Sequence, residues 1–153
     1  MRILNILEKD KILAELTSRT KKEVLEELAG PFLNDKLGIS KEEILKVINE
    51  REKLGSTGIG EGIAIPHGKL KGLSKIKATF GRSLQGVDFD SMDGKPAYLF
   101  FMALAPENVV EEYLKILAKI SRIMKDSFFR EALMKAKNVN EIYEIIAVAD
   151  ERY

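Results

Sequence analysis

The chain holds a single histidine, set in Pro66-His67-Gly68. Proline fixes the backbone before His67, and glycine, lacking a Cβ, clears space after it. An imidazole on so rigid a support is equipped to carry a phosphoryl group. One ring nitrogen attacks phosphorus while the other is held by a hydrogen bond that sets the tautomer. With an ordinary pKa of about 6.5, much of the ring is neutral and nucleophilic near neutral pH. Upstream, Arg51 offers a planar, permanently charged fork that suits phosphate. Between them lies Gly55-Ser-Thr-Gly-Ile-Gly60-Glu-Gly62. The hydroxyls of Ser56 and Thr57, and glycine amides including that of Gly68, are candidate partners for phosphate oxygens.

Each residue also has a plainer reading. A lone histidine is often structural or merely solvated, and glycine-rich stretches are often only turns. An arginine at a helix C-terminus often just meets the helix dipole. Other glycine motifs fail on spacing. A P-loop needs G-x-x-x-x-G-K-[ST], but Leu70 follows Gly68-Lys69 and Ile63 stands where the first glycine belongs. A dinucleotide fingerprint opens a helix, whereas Gly58-Ile-Gly60-Glu-Gly62 leads into Ile63-Ala-Ile65 and Pro66. A G-x-S-x-G elbow is absent.

Composition narrows the chemistry further. The single His excludes paired-imidazole metal sites, and the absence of Cys excludes thiolate nucleophiles, disulfides and Cys-based zinc. No Asp/Glu cluster has the spacing of a metal loop, so neither a metal nor another cofactor is expected. Lys and Arg number 25 against 24 Asp and Glu, a net charge of +1. That balance argues against a nucleic-acid partner, which would require a basic excess. The N-terminus meets charges at Glu8, Lys9, Asp10 and Lys11, and the longest apolar run is Ala97 to Pro106. A membrane helix needs about 20 apolar residues, so no membrane insertion is expected and a cytoplasmic location is.

The elements that must position His67 are legible in the same way. Thr20-Lys-Lys-Glu23 and Ser40-Lys-Glu-Glu43 read as capping boxes. They open one helix broken at Gly30-Pro31 and a second running to about Lys53. Ile63 to Ile65 reads as a short strand with His67 at its end, and Ile76 to Leu84 as another. Gly86 to Asp90 and Met92 to Gly94 read as turns around a short extended piece. Ala97 to Ala105 is apolar on both faces, as in a central strand covered on both sides. Val110 to Lys125 carries one stripe of Val110, Leu114, Leu117, Ser121 and Met124, with Tyr113, Ile116, Ile120 and Ile123 beside it. Helices over Ser127–Lys137 and from Asn138 to about Ala147 complete the chain. The order predicts one α/β domain, residues 1–153, with a mixed β-sheet flanked by helices on both faces.

The segment from Arg51 to Gly68, R-E-K-L-G-S-T-G-I-G-E-G-I-A-I-P-H-G, resembles the signature of the phosphotransferase-system (PTS) enzyme IIA family of the fructose/mannitol type. The resemblance extends over Leu84-Gln-Gly-Val-Asp-Phe-Asp90, Asp93-Gly-Lys-Pro96, Ala105-Pro-Glu107 and Leu114-x-x-Leu117-Ala118, nearly the whole chain. It implies a phosphocarrier in which His67 accepts a phosphoryl group from an HPr-type phosphohistidine carrier and Arg51 is the active-site arginine. The segments Gly55–Gly60 and Gly86–Asp90, and a length that suits a IIA domain alone, are most similar to the nitrogen-regulatory branch. The implied role there is regulation of a target through phosphorylation state. The alternative is a sugar-specific IIA that passes phosphate to an enzyme IIB domain. Two positions depart from the pattern. Glu61 stands where the family commonly has Asn, and Tyr113 stands where it commonly has a second His. Tyr113 is accordingly expected to offer a neutral hydroxyl to the phosphoryl group.

Overall fold

The sheet is organised around its most apolar strand. In a computed structural model describing residues 1–153, six strands form one mixed sheet. They are β1 (Ile12–Leu13), β2 (Gly58–Gly60), β3 (Ile63–Ala64), β4 (His67–Lys69), β5 (Lys77–Val87) and β6 (Ala97–Ala105). The order is β1-β5-β6-β3-β2, with β4 also paired to β6. β5 runs antiparallel to β6, whereas β3 and β4 run parallel to it.

Strand periodicity sends alternate β6 side chains to opposite faces. Leu99, Phe101, Ala103 and Ala105 enter one core with Phe80, Ile116, Ile120, Ile142 and Ile146. Phe100, Met102 and Leu104 enter the other with Val24, Leu28, Ile44 and Ile48. Helices α1 (Lys21–Ala29) and α2 (Lys41–Lys53) cover this second face. Helices α3 (Val110–Met124), α4 (Ser127–Lys135) and α5 (Val139–Arg152) cover the first. A buried edge-on pair, Phe80–Phe101 at 5.9 Å, and a tilted pair, Phe89–Phe100 at 5.6 Å, help to fill the two layers. Burying each such ring contributes about 1.5–3 kcal/mol.

The helix starts follow from their caps. The Thr20, Ser40 and Asn138 side chains accept from the amides three residues on, and the box at Ser40 is reciprocal. Pro31 ends the α-helical geometry of α1, but the chain tightens into a 3-10 turn over Gly30–Asp35 rather than leaving the layer. Three expectations need correction. β5 extends to Val87 across an irregularity in its pairing, so Gly86 lies in a strand and not a turn. On α3 the buried residues are Tyr113, Ile116, Ile120, Ile123 and Met124, so of the expected stripe only Met124 is fully buried while Val110 and Leu114 are exposed. α5 runs past Ala147 to Arg152, because Asp150 is buried there, accepting from the amides of Ile3 and Leu4 at 2.8 and 3.1 Å and pairing with Lys119.

Candidate functional site

Pro66 has no N–H to donate, so the extended segment beginning at Ile63 cannot run unbroken. It divides into β3 and β4, both parallel to β6, and His67 opens the second piece rather than ending the first. His67 lies in register with Ala103. The following residue, Gly68, is buried inside the same ladder and faces α2, where a Cβ would approach Val47 Cγ2 to 3.2 Å. Gly68 therefore lets β4 lie against α2 while His67 is presented on the opposite side, toward α3.

The imidazole is partly exposed and fixed. Its Nδ1 lies 2.7 Å from the Ile65 carbonyl, an acceptor only, so Nδ1 carries the proton and donates. Nε2 is left with the free lone pair. Burial lowers the His67 pKa below its ordinary value, the Ile65 hydrogen bond raises it, Arg51 lowers it and Glu52 raises it, with a net downward shift. Near neutral pH the ring is neutral, the state in which Nε2 is a nucleophile.

His67 opens onto a cavity of about 360 Å³ lined by Arg51, Ser56, Thr57, Ile65, Met92 and Leu117, among others. Arg51 comes from the last turn of α2, and its Nη1 donates to the Gly55 carbonyl at 2.8 Å. The sequence thus brings His67, Arg51, Ser56 and Thr57 to one cavity. The two hydroxyls are engaged differently from the expectation. Ser56 Oγ donates to the Phe89 carbonyl at 2.9 Å and accepts from the Gly58 amide at 3.0 Å. Thr57 is buried, and its hydroxyl donates to the Glu52 carboxylate. A hydroxyl has one proton, so in this geometry neither has one left for a phosphate oxygen; both hold the loop instead.

Tyr113 packs edge-on against His67, ring centroids 6.0 Å apart. It is buried, and its hydroxyl has no partner within the protein. Burial pushes its pKa well above the ordinary tyrosine value while Arg51 pulls the other way, so the group stays a neutral donor. Glu61 occupies a left-handed position, φ 57°, where asparagine is favoured over longer side chains. Here the Asp93 carboxylate accepts from its amide at 3.0 Å, and its own carboxylate pairs with Arg130 at 3.1 Å. Glu52 escaped the sequence reading. An acidic residue in the last helical turn looks solvated, and only its 6% side-chain exposure marks it out.

A mixed sheet between two helical layers thus presents an imidazole and an arginine at one shallow cavity, an arrangement suited to a small anionic group. Residues 5–148 match the family model described as "Phosphoenolpyruvate-dependent sugar phosphotransferase system, EIIA 2", and the chain belongs to this family. It is 38% identical over 148 residues to a nitrogen regulatory protein of Bradyrhizobium diazoefficiens, covering 97% of this chain and 96% of that one. It is 38% identical over 151 residues to the fructose-specific EIIABC component of Bacillus subtilis, covering 95% of this chain but 23% of that longer protein. The crystal structure of the nitrogen regulatory protein IIA-Ntr from Neisseria meningitidis superposes with a TM-score of 0.88 at 35% identity, covering 94% of this chain and 98% of that one. These similarities support a phosphocarrier or regulatory role. No helix is long and apolar enough to cross a membrane.

Proposed function

We propose that the chain accepts a phosphoryl group on Nε2 of His67 from an HPr-type phosphohistidine carrier and regulates a target according to its phosphorylation state. The observation that carries this reading is the hydrogen bond from Nδ1 to the Ile65 carbonyl, which leaves the Nε2 lone pair free on a ring that lines the cavity. In the transfer, the P–N bond to the carrier breaks as the P–Nε2 bond forms, and the bonding pair returns to the carrier's imidazole. Entering and leaving groups are both imidazoles, so the exchange is close to balanced. Transfer of this kind depends on positioning and on stabilising charge spread over three oxygens. Arg51 supplies the charge and the Tyr113 hydroxyl a neutral hydrogen bond, while Ser56 and Thr57 hold the loop at the pocket; Gly68, expected among the phosphate partners, faces α2 instead and lets β4 pack there.

The cavity rim suits a protein partner. Met92, which lines the cavity, is 79% exposed, and the exposed apolar residues Leu54 and Leu114 stand close in sequence to Arg51 and Tyr113. The regulatory role rests on similarity along the whole chain to nitrogen regulatory proteins. A second reading, relay to an enzyme IIB domain, draws on the likeness to the fructose-specific EIIABC component. Incubation with phosphoenolpyruvate, enzyme I and HPr tests the shared step. Intact mass should show one phosphate adduct, labile in acid and stable in base, and absent from His67→Ala. An adduct that survives His67→Ala refutes the assignment. Discharge of the adduct onto an isolated IIB domain separates the second reading from the first.

A further inference from the structure

Glu52 follows Arg51 in the last turn of α2, and its carboxylate is turned inward. One oxygen accepts from the Thr57 amide at 3.1 Å and pairs with Lys21 Nζ of α1 at 2.9 Å; the other accepts from the Thr57 hydroxyl. The Lys21 ammonium also sits over the Phe89 ring, 4.7 Å from its centroid. The carboxylate is therefore fully partnered, and it clamps Thr57.

Thr57 is not an arbitrary point of the loop. Its carbonyl accepts from the Ile65 amide at 3.0 Å, and the Ile65 carbonyl is the acceptor that holds His67 Nδ1 at 2.7 Å. An ion pair from Lys21 to Glu52 thus leads into a continuous chain of hydrogen bonds, Glu52–Thr57–Ile65–His67. The same clamp fixes the far end of the short loop whose Gly55 carbonyl receives Arg51 Nη1. Two adjacent residues of α2 hold the two ends of the loop: Arg51 at Gly55 and Glu52 at Thr57. Positioning to within a fraction of an ångström governs the rate of group transfer.

We infer that Glu52, braced by Lys21, is a positioning residue for the phosphoryl-accepting site. Acting through Thr57, it sets both the imidazole of His67 and the guanidinium of Arg51. The inference deepens the reading of His67 as acceptor and rests on it for the rate, but its geometric content is measurable without any donor.

The single histidine makes the measurement clean, because the imidazole 15N spectrum contains one residue. The parent should show the Nδ1–H tautomer. Glu52→Gln removes the charge and leaves only one carbonyl acceptor where two carboxylate oxygens served. It should mix the tautomers, lower the His67 titration midpoint because a negative neighbour is lost, and slow phosphoryl uptake from phospho-HPr at least tenfold. Thr57→Val keeps the Glu52 charge and cuts only the hydroxyl link. It should slow uptake and disturb the tautomer with a smaller change in the midpoint. Asp35→Asn breaks a separate ion cluster with Lys11 and Lys77, and serves as a destabilised control that should keep the parent's uptake rate. A folded Glu52→Gln protein with the parent's tautomer and rate overturns the inference. If Glu52→Gln does not fold, Thr57→Val decides, and parental tautomer and rate in that variant overturn it equally. Loss of uptake in Asp35→Asn to the same degree also overturns it, since stability alone would then explain the effect. If the parent takes no phosphate from HPr or from the small donor phosphoramidate, the acceptor reading fails, while the tautomer comparison still tests the clamp.

Discussion

Replacing Tyr113 by Phe removes one oxygen and leaves the ring against His67 in place. In the unphosphorylated protein that oxygen is buried and without a partner. An unsatisfied buried donor costs about 1–3 kcal/mol. Phe should therefore stabilise this form by about 1–2 kcal/mol, which for a domain of this size raises Tm by about 2–8 °C. The phosphorylated form should respond in the opposite sense. If the hydroxyl donates to a phosphoryl oxygen on Nε2, Phe deletes a hydrogen bond to a charged acceptor, about 1.5–3 kcal/mol. The two effects add in the exchange equilibrium with phospho-HPr, which should shift toward the carrier by about 2.5–5 kcal/mol, roughly sixtyfold to a few thousandfold at about 1.4 kcal/mol per decade. Thermal melts of both forms and intact-mass measurement of the exchange ratio test the two halves independently. A Phe variant that melts below the parent and leaves the exchange ratio unchanged refutes the reasoning and makes Tyr113 a packing residue only. Tyr113→His provides the complementary check, since a second imidazole should make uptake depend more strongly on pH between about 6 and 7 than it does in the parent.

Arg51→Lys keeps the charge but loses the fork. One ammonium cannot hold the Gly55 carbonyl and reach a phosphoryl group in the way two guanidinium nitrogens can, so uptake should slow by more than tenfold, about 1.4 kcal/mol. Rapid-quench kinetics with phospho-HPr measure it, and a parental rate in the Lys variant counts against the role. Burial holds the His67 pKa below its ordinary value, so uptake should be flat above about pH 6.5 and fall only on the acid side of that. The sign for stability follows. The unfolded histidine binds its proton more readily than the folded one, so His67 favours folding fully above about pH 6.5 and loses that contribution as pH falls through its lowered folded value. Chemical denaturation at several pH values should show this slope in the parent and not in His67→Gln.

The sequence reading succeeded where local chemistry decides structure. Capping residues at Thr20, Ser40 and Asn138 place three helix starts, and the unbroken apolar run Ala97–Ala105 marks the central strand. It failed where tertiary contacts decide. β1 is two residues long and exists only because β5 accepts it as a parallel neighbour. The buried stripe of α3 was misjudged because a wide apolar helix offers two candidate faces, and only the sheet's position selects one. At the site, His67 and Arg51 stood out by residue type and by the glycine punctuation between them, and the fold brings both to one cavity. Glu52 was not, because its burial follows from α1 bringing Lys21 across the last turn of α2. The same long-range geometry turned Ser56 and Thr57 from expected phosphate donors into braces, a distinction that lies in hydroxyl orientation and not in spacing.

A relay must accept a phosphoryl group and also release it, so its site cannot hold the group too well. Two opposite charges stand near the imidazole here, and their effects on His67 oppose one another: Arg51 lowers its pKa and Glu52 raises it. Burial therefore decides the direction of the shift and keeps the acceptor neutral. The position where the family commonly carries a second histidine holds an uncharged hydroxyl. Arg51 is thus the one cation among the residues lining the cavity, balanced by a carboxylate one residue along the same helix. Neutral hydrogen bonds are roughly half as strong as charge-assisted ones, so exchanging an imidazolium for Tyr113 weakens the grip on the bound phosphoryl group. Under the proposed function, the consequence is a carrier whose phosphorylated state would be set more by the supply of phosphorylated donor than by its own affinity for the group, the property a reporter of donor phosphorylation requires.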